Sequence, residues 1–169
     1  EARGGYRYFL TFIDDLSRYG YIYLMKHKSK TFEKFNEFQG EVENHSNKKK
    51  FLRSDRGGEY LSYEFGLHLK QCGIVSQLTP PGTPQHNGVS ERRNRILLDM
   101  VRSMMSLNDL PLSFWGYALE TAAFTLNRAP SLSVEMTPYE LWFSKKPKLS
   151  FLKVWACDAY VKKLQPDKL

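Results

Sequence analysis

The stretch TPPGTPQHNGVSERRNRILLDMVRSMMSL, residues 79–107, decides how the rest of the chain is read. Its opening run, Thr79-Pro80-Pro81-Gly82-Thr83-Pro84, can continue neither a strand ladder nor a helix and is expected to be a mobile loop. From about Gly88 to Leu107 the pattern becomes helical. Set out at about 100° per residue from Glu91, Ile96, Leu97, Leu98, Met100, Val101, Met104 and Met105 share one arc between about 140° and 340°. Glu91, Arg95 and Arg102 gather at roughly 0° to 40°, just outside it. An acid therefore stands at the border of core and solvent, at the start of a long helix and directly after a loop. That placement suits a metal ligand, supported on one side and open to substrate on the other. The plainer alternative is a surface pair of Glu91 with Arg95 at i, i+4, worth about a few tenths of a kcal/mol.

Upstream, Ser54-Asp55-Arg56-Gly57-Gly58-Glu59 puts a second acid at the end of a short strand expected around Lys50 to Ser54, where two glycines open the backbone. The pair and its spacing matter here more than either acid alone, since a lone Asp before two glycines is ordinarily a turn residue. Phosphoryl transfer by paired divalent ions needs carboxylates from separate rigid elements converging on ions about 3.5 to 4 Å apart. A strand-end Asp and a helix Glu with 35 residues between them can meet that demand.

The other segments supply an α/β frame. Tyr6 to Ile13 and Tyr21 to Met25 are aromatic and β-branched runs around the turn Asp14 to Gly20, the pattern of a β-hairpin. Phe32, Phe35, Phe38 and Val42 follow a helical face after Ser29. Tyr60 to Cys72 reads as a helix with Phe65, Leu67 and Leu69 partly inward, stopped by Gly73, and Ile74 to Leu78 as a strand. Further helices are expected over Ser113 to Arg128 and from Thr137, whose Thr-Pro opening suits an N-cap followed by Pro at the first helical position. Phe151 to Lys163 alternates like one more strand. Neither a repeat nor a linker divides residues 1–169, so one domain is expected, with a helical and strand extension from about residue 111.

Composition narrows the class. Apolar residues make up 41% and aromatics 14%, enough for a packed core, and 25 Lys plus Arg against 18 Asp plus Glu leave a formal charge of +7. That excess favours a polyanionic partner without specifying one. Cys72 and Cys157 have no zinc-site neighbours and are expected to be buried free thiols. No apolar run approaches the roughly 20 residues of a membrane span, so no membrane partner is expected.

The combination SDRGGEY and TPQHNGVSERRNR, with Asp55 and Glu91 in a D-35-E relation, resembles the integrase core of copia-type LTR retrotransposons. RGGYRYFLTFIDDLSRYGYIYLM, LPLSFWGYALETAAFTLNRAPS and TPYELWFSKKP are similar to the same family, so the likeness covers nearly the whole chain. The resemblance implies an RNase H-like fold, a mixed sheet flanked by helices. It implies two Mg²⁺ or Mn²⁺ ions, 3′-end processing and strand transfer, with element DNA ends and target DNA as partners. A homo-oligomer, action in the nucleus and no small-molecule substrate follow from the same likeness. Asp55 matches the family's second catalytic Asp and Glu91 its catalytic Glu, both as metal ligands. Gln85 and Asn87 match loop positions that approach DNA ends, and Arg92, Arg93 and Arg95 match a basic first turn, where a solvated polar face is the alternative.

One departure shapes the expectation. The family carries three carboxylates, and its first Asp lies on a central strand preceding the hairpin, which residues 1–169 do not include. Asp14 and Asp15 match the hairpin turn instead, where such residues cap and hydrogen-bond the backbone. Without the central strand two sheet edges should stand unpaired, and these 169 residues alone should be inactive. The competing readings are a catalytically dead transposon relic that binds DNA or protein, and an RNase H-like nuclease that cleaves without joining.

Overall fold

In the computed structural model, residues 1–43, 51–55, 57–80, 87–130, 136–150 and 152–158 are described. Strands β1 (Tyr8–Ile13) and β2 (Gly20–Met25) form the antiparallel hairpin, with Tyr8 opposite Met25 and Ile13 opposite Gly20. Helix α1 (Thr31–Val42) follows a 3₁₀ turn at Lys28–Lys30. Strand β3 (Phe51–Ser54), helix α2 (Tyr63–Gln71) and strand β4 (Val75–Leu78) come next, β3 and β4 pairing in parallel. A parallel pair needs a crossover, and α2 provides it. Three α-helices follow, α3 (Gly88–Ser106), α4 (Trp115–Arg128) and α5 (Pro138–Phe143), with a 3₁₀ turn at Leu112–Phe114 leading into α4.

The pleat explains how one hairpin serves two cores, because successive side chains in a strand point to opposite faces. Leu10, Phe12, Tyr21 and Tyr23 pack with Phe35, Phe65, Leu69 and Ile74 beneath α1 and α2. Phe9, Ile22 and Leu24 pack on the other side with Leu97 and Val101 of α3 and Ala118, Leu119, Ala122 and Ala123 of α4. Phe12 makes edge contacts with Tyr23 and Phe35 and stacks on Phe38 at 4.3 Å. The alanines give α4 a low surface on which α3 can lie close.

Local chemistry sets the ends of the elements. Ser62 caps α2, its side chain accepting from the Phe65 amide, and Gly73 at φ +66° lets the chain reverse into β4. Thr137 and Glu140 form a reciprocal capping box at α5, with Pro138 next. Two hydrogen bonds to that carboxylate hold the Glu140 pKa below the usual carboxylate range.

Several expectations need correction. Leu67 faces solvent, because on a helix only the i, i+4 pair Phe65 and Leu69 shares the inward face. Cys72 and Cys157 are both exposed, Cys72 at the C-terminal cap of α2 where the helix has left the core. The strand expected over Phe151 to Lys163 is absent from residues 152–158, which hold a turn with Ala156 at φ +58°; its other residues lie outside the described set. Most of the proline-rich loop, residues 81–86, lies outside it too.

The strands form two separate two-stranded sheets, β1–β2 and β3–β4. Among the described residues β1 pairs with β2 alone and β3 with β4 alone, which leaves the two unpaired edges expected, and β1 and β3 border one gap.

Candidate active site

That gap is a cleft of about 510 Å³. One wall is five consecutive residues, Phe9 to Ile13, along β1, and the other is Phe51 to Asp55 along and just beyond β3. Phe38 and Tyr60 also line it, as do Asn87, Ser90 and Asn94 from the start of α3. Those three are spaced i, i+3, i+7, one helical face. Asn94 is fixed there by a hydrogen bond from the Thr11 hydroxyl of β1, 2.9 Å.

Asp55 sits at the end of β3 as its sequence position suggests, exposed on the cleft rim. Its Oδ1 accepts from the Gly57 amide at 3.0 Å, which orients the carboxylate. A side chain at Gly57 would meet Glu59 at 2.9 Å and Asp55 Oδ1 at 3.1 Å, so glycine here leaves room for two carboxylates over one turn. Tyr60 lies close by. Burial first, then the Asp55 and Glu59 charges, push its phenol up to about 12.

Glu91 is exposed on the first turn of α3, beside Ser90 but outside the cleft wall. The alternative surface pair with Arg95 is not among the ion pairs of the described residues. Asn87 lines the cleft as a part-buried residue, accepting from the Ser90 hydroxyl, whereas Gln85 lies outside the described residues. Arg92 and Arg95 are exposed, open to a polyanion.

Arg93 is different and corrects the expectation of a phosphate contact. It is 9% exposed, and its guanidinium donates to the Arg18 carbonyl at 2.8 Å and to Asn127 Oδ1. Burial pulls its pKa down to about 10. Asp14 behaves as a turn residue, accepting from the Ser17 amide and hydroxyl. Asp15 reaches the cleft rim but is held by Arg18 at 2.7 Å and Arg53 at 3.8 Å.

Sequence reading missed Thr11, Ser90, Asn94 and Tyr60 as cleft residues. Helical spacing from Asn87 would have found Ser90 and Asn94. Nothing in the sequence places Thr11 across from Asn94, a contact spanning 83 positions.

The donor chemistry suits a hard cation, since Mg²⁺ is commonly held by one or two carboxylates with water and phosphate oxygens completing its shell. Asp55 and Glu91 offer two such carboxylates on separate elements. Among the described residues no group of three or more His, Cys, Asp or Glu is gathered closely enough to hold an ion alone.

The fold with this cleft is that of integrase catalytic cores. A chain of the simian T-cell lymphotropic virus intasome, in complex with the PP2A regulatory subunit B56 gamma, superposes with TM-score 0.68 at 20% identity, over 92% of this chain and 53% of that one. The catalytic core of BIV integrase superposes with TM-score 0.59 at 20% identity, over 80% and 85%. The HTLV-2 integrase core, determined in complex with magnesium in a trimeric form, does so with TM-score 0.59, over 78% and 82%. No family model matches the sequence.

In sequence, the whole chain aligns at 46% identity with 13% of the retrovirus-related Pol polyprotein of transposon TNT 1-94 from Nicotiana tabacum. It aligns at 35% identity, over 92% of its length, with 11% of the Pol polyprotein of transposon RE2 from Arabidopsis thaliana. The chain belongs to the retrovirus-related Pol polyproteins of copia-type transposons, of which it spans a small part.

Proposed function

We propose that this chain is the main part of a copia-type integrase core, whose complete form processes the 3′ ends of element DNA and joins them to target DNA. The observation that carries the reading is Asp55 on the rim of a cleft bordered by the Glu91-bearing turn of α3, within an integrase fold. Asp55 and Glu91 would hold Mg²⁺ or Mn²⁺, two ions in the complete site. Such ions polarise the phosphodiester and activate water or a 3′-hydroxyl. The magnesium named with the HTLV-2 core supports that cofactor by kinship.

The chain's own residues bind and orient. The Gly57 amide holds the Asp55 carboxylate, and Thr11 holds Asn94 against β1. Arg92 and Arg95, with Gln85 and Asn87, would meet phosphates of the DNA ends, and such contacts set register rather than sequence. A homo-oligomer fits the need to handle two DNA ends, and the intasome relationship supports it. Nuclear action follows from the same role.

A labelled DNA end incubated with Mn²⁺ tests this. The 169 residues alone should yield no joined product. A longer chain carrying the upstream strand should yield one, lost on Asp55→Asn or Glu91→Gln. Cleavage without joining in the longer chain would support the nuclease reading, and DNA binding without either reaction would support the relic.

A further inference from the structure

We infer that Arg93 and Asn127 form a positioning lock that sets the rotation of α3 about its own axis, and so how Glu91 stands relative to the cleft. The inference rests on the role proposed for Glu91. Arg93 is buried and, among the described residues, has no carboxylate partner; its guanidinium donates to the Arg18 carbonyl and to Asn127 Oδ1. Asn127, 4% exposed on α4, holds both backbone groups of Gly20, accepting from its amide at 2.9 Å and donating to its carbonyl at 2.8 Å. One polar point thus joins α3, α4 and the first residue of β2.

A second feature independently fits this point. A side chain at Gly20 would come within 2.7 Å of the Arg93 Cζ and Nη2, so its absence is what lets the guanidinium lie against the strand. Arg18, whose carbonyl receives the guanidinium, holds φ +61°, turning that carbonyl toward the core.

The desolvation cost of the guanidinium sets itself against the two hydrogen bonds it makes, so its stabilising effect is small. Among the described residues the acceptors of this cation are neutral, and burying a charge without a counter-charge is costly; replacing buried charged groups by apolar ones of similar size is often neutral or stabilising. What the guanidinium adds is direction. Leu97 and Val101 contact an alanine-rich face of α4, and such apolar contacts tolerate rotation, whereas a planar fork bound to fixed acceptors does not. On the helix Glu91 lies about 160° from Arg93, with the cleft face of Asn87, Ser90 and Asn94 between them. Any rotation released at Arg93 moves Glu91 against the cleft by the same angle.

The test uses the 169-residue chain with Cys72→Ser and Cys157→Ser, adding Thr11→Cys and Asn94→Cys to place a disulfide where the 2.9 Å hydrogen bond now holds β1 to α3. Arg93→Met should fold with its melting temperature kept or raised, yet lose most of the cross-linking rate, and Arg93→Lys should recover part of it. In chains without the added cysteines, Arg93→Met should weaken Mn²⁺ binding about tenfold, as changes behind metal ligands do. A folded Arg93→Met chain that cross-links at the parent's rate overturns the lock. Should Arg93→Met fail to fold, Gly20→Ala, which crowds the guanidinium, carries the same comparison with the same outcomes. Mn²⁺ binding by the parent that is indifferent to Glu91→Gln would count against the proposed function, while the cross-link still decides the lock.

Discussion

The two small sheets share a strand count and little else. The β1–β2 hairpin is covered on both faces, with Phe12, Tyr23 and Met25 buried. In β3–β4 all four residues of β4 are exposed, as are Phe51 and Arg53 of β3, and burial is confined to Leu52, in part, and Ser54. The hairpin forms from neighbouring segments and is closed by helices from either side. The parallel pair is joined through α2, and α2 covers one face only. The catalytic candidate Asp55 stands just beyond the end of the less covered sheet, in keeping with sites being drawn from the less stable parts of a fold.

Four measurements would break or sharpen that contrast. Phe12→Ala should destabilise the chain by about 3 to 5 kcal/mol in denaturant unfolding, since it removes a ring packed against three others. A loss below about 1 kcal/mol would mean that the hairpin core is not the stabilising half.

Tyr60 gives the intermediate effect, visible in alkali. Its folded pKa is raised above the ordinary value of 10.0, so its contribution is fully present below pH 10 and is lost as pH rises toward 12. Tyr60→Phe should remove that part of the alkaline loss of stability. Asp55→Asn should lower the Tyr60 pKa, read from tyrosinate absorbance; an unmoved titration would separate Tyr60 from Asp55. The smallest effect is expected for Phe51→Ala, the same change as Phe12→Ala but at a side chain 59% exposed. It should alter stability by no more than about 0.5 kcal/mol.

Signals that act within a few residues made much of this architecture legible. The start of α3 at Gly88 and the Thr137 cap follow from local capping and breaking residues, and the hairpin follows from alternation around a turn. Tertiary contacts were not legible in the same way. Arg93 falls at about 200° on the wheel, within the apolar arc. Its place four residues before Leu97 and eight before Val101 was a signal that it points inward, outweighed by the basic company of Arg92 and Arg95. Its acceptors, the Arg18 carbonyl and Asn127, are 75 and 34 positions away, beyond the reach of any local pattern. Asp55 could be placed at a strand end from sequence, but the cleft depends on two sheets standing apart, a relation that no single segment records.

The docking of α5 brings an optical consequence. Trp142 stacks on Tyr19 with ring centres 5.8 Å apart and donates its indole N–H to the Tyr21 hydroxyl at 3.1 Å. Light absorbed by the hairpin tyrosines can pass to this indole, whose emission colour reports how wet its surroundings are. The chain thereby carries a native fluorescent probe of whether its last described helix remains seated on its first two strands.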